Sequence, residues 1–178
     1  MGDVVIRSAR VDESDAVAAL AAATFPDACP ASMPEVAIRA YIDAHLSPAR
    51  IAEHLMGDQA EVIVGERAGE LVGYVLLFRG DAGRPPTGSG VTVSPTALLS
   101  KCYVRAGVRG GGVAAQLLDA ALEWGRTEGL GGLWLNVNHA NHRAQRFYAK
   151  HGWERVGELD FLVGDVVNHD PVYQYPLD

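Results

Sequence analysis

Cysteine is scarce in this chain: among 178 residues there are two, Cys29 and Cys102. That excludes a disulfide framework and a cysteine-spaced metal site, and it suits a reducing cytoplasm. No apolar run approaches the roughly 18 residues that a membrane span needs. Runs of Lys and Arg are missing as well, and the formal charge is −7. Nucleic acid is therefore excluded as a partner, because neutralising phosphates takes clustered cations. The opening MGDVVIRSAR lacks the apolar centre of a signal peptide, and Ile6 stands where myristoylation would need Ser or Thr. His139 and His142 have the spacing of a metal pair but straddle a loop and a helix start with no third ligand, so no metal is expected.

With hydrophobic residues at 48% and charged residues at 21%, the chain has an ordinary globular balance and is long enough to bury a core. DVVIRSA reads as a first strand. A helix through DAVAALAAATF should be capped by Asp12 or Ser14 and end near Pro26. Two amphipathic segments follow, PEVAIRAYIDAHL and SPARIAEHLMG, the second capped by Ser47 with Pro48 at its first position. AEVIVGE and ELVGYVLLFRG form a hairpin around RAGE. Residues 80–95 are so rich in Gly and Pro that a long mobile connection near the mouth of a site is expected. Then come the strand ALLSKCYV, a helix ended by Gly129, the strand LWLNV, a helix closed by Gly152, and strands near ERVGELDFLVG and PVYQYPL. Helices and strands alternate without repeat or linker, which predicts one α/β domain over 1–178.

The stretch YVRAGVRGGGVAAQLL places four glycines just before a helix. Ordering a glycine costs about 0.5–1 kcal/mol relative to alanine, so such a run calls for close backbone approach, here at a helix end whose free N–H groups attract anions. A nucleoside-triphosphate loop would need Lys and Ser or Thr after the last glycine, where Val113 and Ala114 stand. The dinucleotide fingerprint is matched by Gly110, Gly112 and Ala115, but the acid it requires on the next strand is replaced by Asn136 and Asn138.

The third candidate fits. Arg109-Gly110-Gly111-Gly112-Val113-Ala114 resembles the Arg/Gln-x-x-Gly-x-Gly/Ala loop of the GNAT superfamily of N-acetyltransferases. LWLNVNHANHRAQRFYAKHGW resembles that family's second motif through Asn141, Tyr148, Gly152 and Trp153. The resemblance covers about residues 98–156. It implies a single-domain α/β GNAT (acyl-CoA N-acyltransferase) fold, a mixed central sheet of about six or seven strands flanked by helices.

It also implies acetyl-CoA as co-substrate. The pyrophosphate would lie on the N–H groups of Gly110, Gly111, Gly112, Val113, Ala114 and Ala115. Arg109 would add a cation or an ordering contact. The edge at Cys102, Tyr103 and Val104 would pair with the pantetheine amides, and one N–H there could polarise the thioester carbonyl. Asn141 matches a coenzyme A contact and is equally suited to cap its helix. Tyr148 matches the position whose phenol protonates the coenzyme A sulfur, the plainer reading being a ring packed in the core.

The chemistry asks for a neutral amine, a polarised carbonyl and a proton for the leaving thiolate. A lysine-like amine of pKa about 10.4 is neutral in only about one molecule in a few thousand at neutral pH, a handicap of roughly 4–5 kcal/mol. Family members commonly place a glutamate base where this chain has Asn136, and the preceding strand carries no acid. His139, Glu158, Asp160 and His169 are the remaining base candidates, each acting through water. Cys102 has no paired histidine and reads as a buried strand residue.

The first helices and the C-terminal segment resemble the PaiA-like subgroup, regarded as polyamine acetyltransferases, through Thr24, Phe25 and Tyr41. Ser100 and Lys101 depart from the acid–Arg pair usual there. Asp27, Glu35, Asp43 and Glu53 could receive a polycation or simply form solvated helix faces. The expected acceptor is a small-molecule or peptide amine. Acetylation of a protein N-terminus or lysine, and non-catalytic acyl-CoA binding, are the alternatives. Dimers are common among relatives, so a homodimer is compatible with the resemblance.

Overall fold

The computed structural model describes residues 2–163 and 165–178. Seven strands form one mixed sheet in the order β1-β2-β3-β4-β5-β7-β6: β1 Val5–Ser8, β2 Ala60–Arg67, β3 Glu70–Phe78, β4 Thr96–Val104, β5 Gly132–Asn136, β6 Glu154–Val163 and β7 Val166–Pro176. Five helices accompany them: α1 Ser14–Thr24, α2 Glu35–His45, α3 Pro48–Met56, α4 Val113–Thr127 and α5 His142–Lys150. Contacts group the chain into two compact units. One holds the chain to Leu77 together with Lys101–Ala121; the other holds Phe78–Ser100 and Leu122–Asp178. Of the expected elements, Met1 and Gly164 lie outside the described residues.

In the first unit β1 pairs antiparallel with β2 from Val5↔Glu66 to Ser8↔Ile63. Ala68 (φ +52°) and Gly69 (φ +82°) make the tight turn into β3, the conformation that a two-residue hairpin loop demands. Val17, Leu20, Ile51, Val64 and Tyr74 are almost wholly buried there. A Cβ at Gly73 would stand 2.7 Å from Val104 Cγ1 and 2.9 Å from Leu117 Cδ1. The missing side chain in mid-β3 is thus what lets the end of β4 and helix α4 lie so close.

The cap of α1 differs from expectation. Neither Asp12 nor Ser14 caps it. A 3-10 turn, Val11–Glu13, precedes the helix, and the Glu13 carboxylate takes the Arg10 backbone N–H (2.7 Å). The cause is Arg7, whose guanidinium holds Glu13 (2.7 Å) and Glu66 (2.5 Å) at once. Ser47 does cap α3, accepting the Arg50 N–H at 3.3 Å.

In the second unit β5 runs parallel to β4 (Thr96↔Gly132) and antiparallel to β7 (Asn136↔Val172). The segment 80–95, expected as a connection without regular structure, is joined to its surroundings by close contacts. It begins with a 3-10 turn, Gly80–Gly83, and its glycines serve close approach. A Cβ on Gly83 would fall 2.0 Å from Phe78 O, and one on Gly90 2.1 Å from Val156 O. Trp134 Nε1–H donates to Gly83 O (2.8 Å), and the buried Gln174 Oε1 accepts the Thr92 N–H (2.9 Å).

Hydrogen bonds from Arg7 hold the Glu13 carboxyl at about 2, against an ordinary value of 4.5. A depressed carboxyl contributes stability that is complete above pH 4.5 and is lost as pH falls toward 2. Glu13→Gln should cost about 1–2 kcal/mol at neutral pH and nothing near pH 2. Urea midpoints of both proteins across that window should therefore converge on acidification; a constant difference would refute the assignment.

Candidate active site

The glycine turn occupies residues 105–112, between β4 and α4. Its start is pinned by Arg105, whose backbone N–H donates to Val72 O (2.8 Å) and whose Nε–H donates to Leu71 O (3.0 Å). Gly110 (φ +81°) and Gly112 (φ +79°) adopt the left-handed region, which a side chain penalises by about 1–2 kcal/mol. A Cβ on Gly110 would meet nothing within 4 Å, and one on Gly112 only Gln116 Nε2 at 4.0 Å. These two glycines therefore face open space instead of avoiding a collision within the protein. Gln116 N–H to Gly112 O (3.0 Å) is the bond that starts the helix. Geometry accordingly leaves the N–H groups of Val113, Ala114 and Ala115 without a carbonyl from α4 itself, the arrangement that favours an anion.

Of the two roles open to Arg109, an ordering contact is present: its guanidinium holds the Asp27 carboxylate. That pair ties the turn to the 3-10 segment Phe25–Ala28 that continues α1. Phe25 stacks on Tyr41 at 4.5 Å and 8°, Tyr41 meets His45 at 4.6 Å, and Lys101 Nζ stands 5.6 Å over the Tyr41 ring. The Phe25 and Tyr41 positions singled out in the sequence thus come together with Lys101 from β4.

Along β4, Tyr103 meets Tyr74 edge-on at 6.0 Å. Burial, with neighbouring phenols and thiols adding to it, pushes both phenols well above their ordinary range. Cys102 is half-buried as a whole residue, yet burial of its thiol pushes it up to about 12. These groups keep their protons at neutral pH, so none of them is a base or a thiolate nucleophile.

The second unit carries the remaining site residues. Asn136 ends β5 and is exposed. Asn141 Oδ1 accepts the Ala144 N–H (3.1 Å) and so caps α5, which leaves its amide nitrogen available. Tyr148, on α5, is 7% exposed. Its ring lies edge-on to Trp153 at 5.6 Å and tilted to Tyr173 at 6.5 Å, so the phenol is held by aromatic packing.

The candidate bases separate. Glu158 is paired with Arg155. Asp160 and His169 face one another across β6 and β7 at 2.7 Å. His139 is joined to Asp170, a residue that the sequence did not single out. Asp170 lies on β7 just before Pro171, and an Asp-Pro step reads as a turn. Its burial (7% exposed) is visible only once β7 is paired.

A mixed sheet with a glycine turn opening the helix after its fourth strand and an Asn-capped, tyrosine-bearing helix after its fifth is the architecture of an acyl-CoA N-acyltransferase. The chain belongs to the acetyltransferase (GNAT) family, whose model matches residues 16–153, and it is an acyltransferase enzyme. An uncharacterized N-acetyltransferase of Mycobacterium tuberculosis is 38% identical over 156 residues, 85% of this chain and 90% of the relative. The PaiA N-acetyltransferase of Thermoplasma acidophilum, solved in complex with coenzyme A, superposes with a TM-score of 0.76 at 15% identity, covering 98% of this chain and 99% of that one. The ribosomal-protein-S18-alanine N-acetyltransferase of Escherichia coli gives 0.68 at 15%, covering 98% and 94%. At such identities the solved structures share the fold and carry no information on the acceptor.

At about pH 8 a thiol of pKa near 12 has roughly a thousandth of the thiolate of an ordinary cysteine. Iodoacetamide should therefore modify Cys102 at least about a hundredfold more slowly in the folded protein than in urea. Mass analysis of the Cys102 peptide reads the rates, and equal rates would show an accessible thiol.

Proposed function

We propose that the enzyme transfers the acetyl group of acetyl-CoA to a small primary amine by direct attack. The observation that carries this reading is the glycine turn, with two left-handed glycines that face open space at the start of α4. Such a turn suits a pyrophosphate held by the backbone N–H groups of Gly110, Gly112, Val113, Ala114 and Ala115, the Gly111 N–H being taken by Val108 O at 3.3 Å. The edge Cys102–Val104 supports pairing with pantetheine amides. Asn141 adds its free amide nitrogen, and Tyr148 donates the proton that the departing thiol requires. Free cysteines at both positions favour a reducing compartment.

Among amines, the ion pairs favour a monoamine over a polyamine. Asp27 is engaged by Arg109, Glu35 by Arg39 and Glu53 by Arg50. Of the four acids proposed for a polycation, Asp43 alone remains outside these pairs. A polyamine would have to displace arginines from these carboxylates and lose what those pairs contribute.

The first experiment follows free thiol released from acetyl-CoA with monoamines, polyamines, amino acids and short peptides, and acetyl-CoA binding in parallel. Release with small amines, monoamines ahead of polyamines, is expected. Release only with peptides would move the acceptor to protein, and binding without release would indicate a binding module. Two variants test the site. Gly112→Val should raise the acetyl-CoA Kd by more than about tenfold through φ strain and a side chain in the space the turn keeps open. Tyr148→Phe should lower kcat by roughly tenfold to a hundredfold with Kd unchanged, a modest loss because the thiol is already a fair leaving group; an unchanged kcat would remove Tyr148 from the donor role.

A further inference from the structure

Within the first unit, side chains from α2, β3, β4 and the segment after α1 converge beside the edge Cys102–Val104. Phe25 lies flat on the Tyr41 ring, and the Lys101 ammonium stands 5.6 Å over that ring. An aromatic face commonly receives a cation brought by a ligand. Here the protein supplies the cation itself. Lys101 directly precedes the edge on β4, and the alternation of a strand puts it on the same face as Tyr103. Tyr103 in turn meets the ring of Tyr74 on β3. Tyr41, Lys101 and Tyr103 are each half-buried, and no residue of α2 is buried.

Apart from Lys101, the polar groups of this cluster are neutral. Among the described residues, those that act on the Tyr74 and Tyr103 phenols are Tyr41, Cys29, Cys102 and Thr24, with no carboxylate among them. Thr24 spends its hydrogen on Leu20 O (2.9 Å), and Cys29 donates to Phe25 O (3.4 Å). The wholly buried Tyr74 hydroxyl has no partner of ordinary hydrogen-bond geometry among the described residues. Such a donor costs stability until some group accepts its hydrogen. The acids of this region are engaged or turned away. Asp27 holds Arg109 and Glu35 holds Arg39, while Asp43, two residues past Tyr41, lies about 200° around the helix from it.

We infer that the acceptor is an amino acid whose carboxylate is received by Lys101, which makes Lys101 a specificity-determining residue. The inference rests on the acetyl-transfer reading above. A diamine would bring its second ammonium toward a fixed cation, with no carboxylate there to receive it. A carboxylate instead gains a charge-assisted bond from Lys101, with hydroxyl donors alongside. In an amino acid the carboxylate carbon is one atom removed from the amine-bearing carbon's nitrogen, so both groups fall close together. That matches a lysine placed next to the strand edge assigned to the thioester. The transfer itself is unchanged: the ammonium loses one proton to solvent, and its nitrogen forms the C–N bond as the C–S bond breaks. The second proton leaving nitrogen balances the one gained by sulfur. Lys101 keeps its proton throughout.

The test follows thiol release from acetyl-CoA with leucine and phenylalanine, each as free acid and as amide, and with 1,4-diaminobutane. The wild-type protein should favour each free acid over its amide and over the diamine. Lys101→Met keeps the apolar stem and removes the charge. It should lower kcat/KM for the acids at least about tenfold more than for the amides, chiefly through KM. Differences in amine reactivity cancel in that ratio of variant to wild type. The acetyl-CoA Kd, measured in parallel, should not change, which shows that the variant is folded. Lys101→Arg should restore most of the preference, and Lys101→Glu should turn it toward the diamine. Equal losses on acid and amide, or acetylation of other small amines and of no amino acid, would overturn the inference while leaving the transferase reading intact. A wild-type protein inert toward every amine would overturn both.

Discussion

Between the last residue of β4 and the first of α4, the backbone must turn through two left-handed glycines, and much of the first unit follows from that constraint. A turn built on Gly110 and Gly112 in left-handed conformation is held by its two arginines. Its order is imported. Arg105 clasps the carbonyls of Leu71 and Val72 on β3, and Asp27 grips Arg109 from the other side. The glycines on the neighbouring strands belong to the same solution. Gly73 makes room for Val104 and Leu117, and Gly65 has Val113 Cγ1 within 3.5 Å of where its own Cβ would lie. An open turn is thus stabilised by close approach around it.

The parts of the fold legible in sequence are those governed by neighbours along the chain. The Ser47 and Asn141 caps, the Ala68-Gly69 turn and the glycine motif each follow from a few adjacent residues, and each lies where local chemistry places it. Residues 80–95 are ambiguous in sequence because glycine signals two opposite things. It loosens a chain in solvent, yet it also admits backbone against backbone, and only the distant partner, Val156 for Gly90, decides which applies. The α1 cap is illegible for a similar reason, since the Arg7 that holds Glu13 is itself held by Glu66, 59 residues away. In the candidate site, the loop and Asn141 could be read from motifs. The Asp170 contact could not, because it depends on the register that brings β7 beside β5.

Overall charge is a poor guide to what such a site accepts. The chain carries −7, which taken alone suggests a polycationic substrate. The carboxylates on the first helices, however, are matched by arginines at helical spacing, Glu35 with Arg39 and Arg50 with Glu53. Lys101 adds a positive charge above the Tyr41 ring. An incoming ammonium meets local potential, and within a Debye length of about 8–10 Å paired charges largely cancel.

Proton traffic can be argued from environment in the same way. Burial raises Tyr74, Tyr103 and Cys102, which fixes them in their neutral, proton-bearing forms and makes them useless as acceptors near neutrality. Taking a proton from an ammonium asks for the reverse: a neutral base near water whose charged form has a carboxylate at its back. Asn136 cannot supply that, having no basic nitrogen, and a carboxylate already paired with arginine would have to break its pair first.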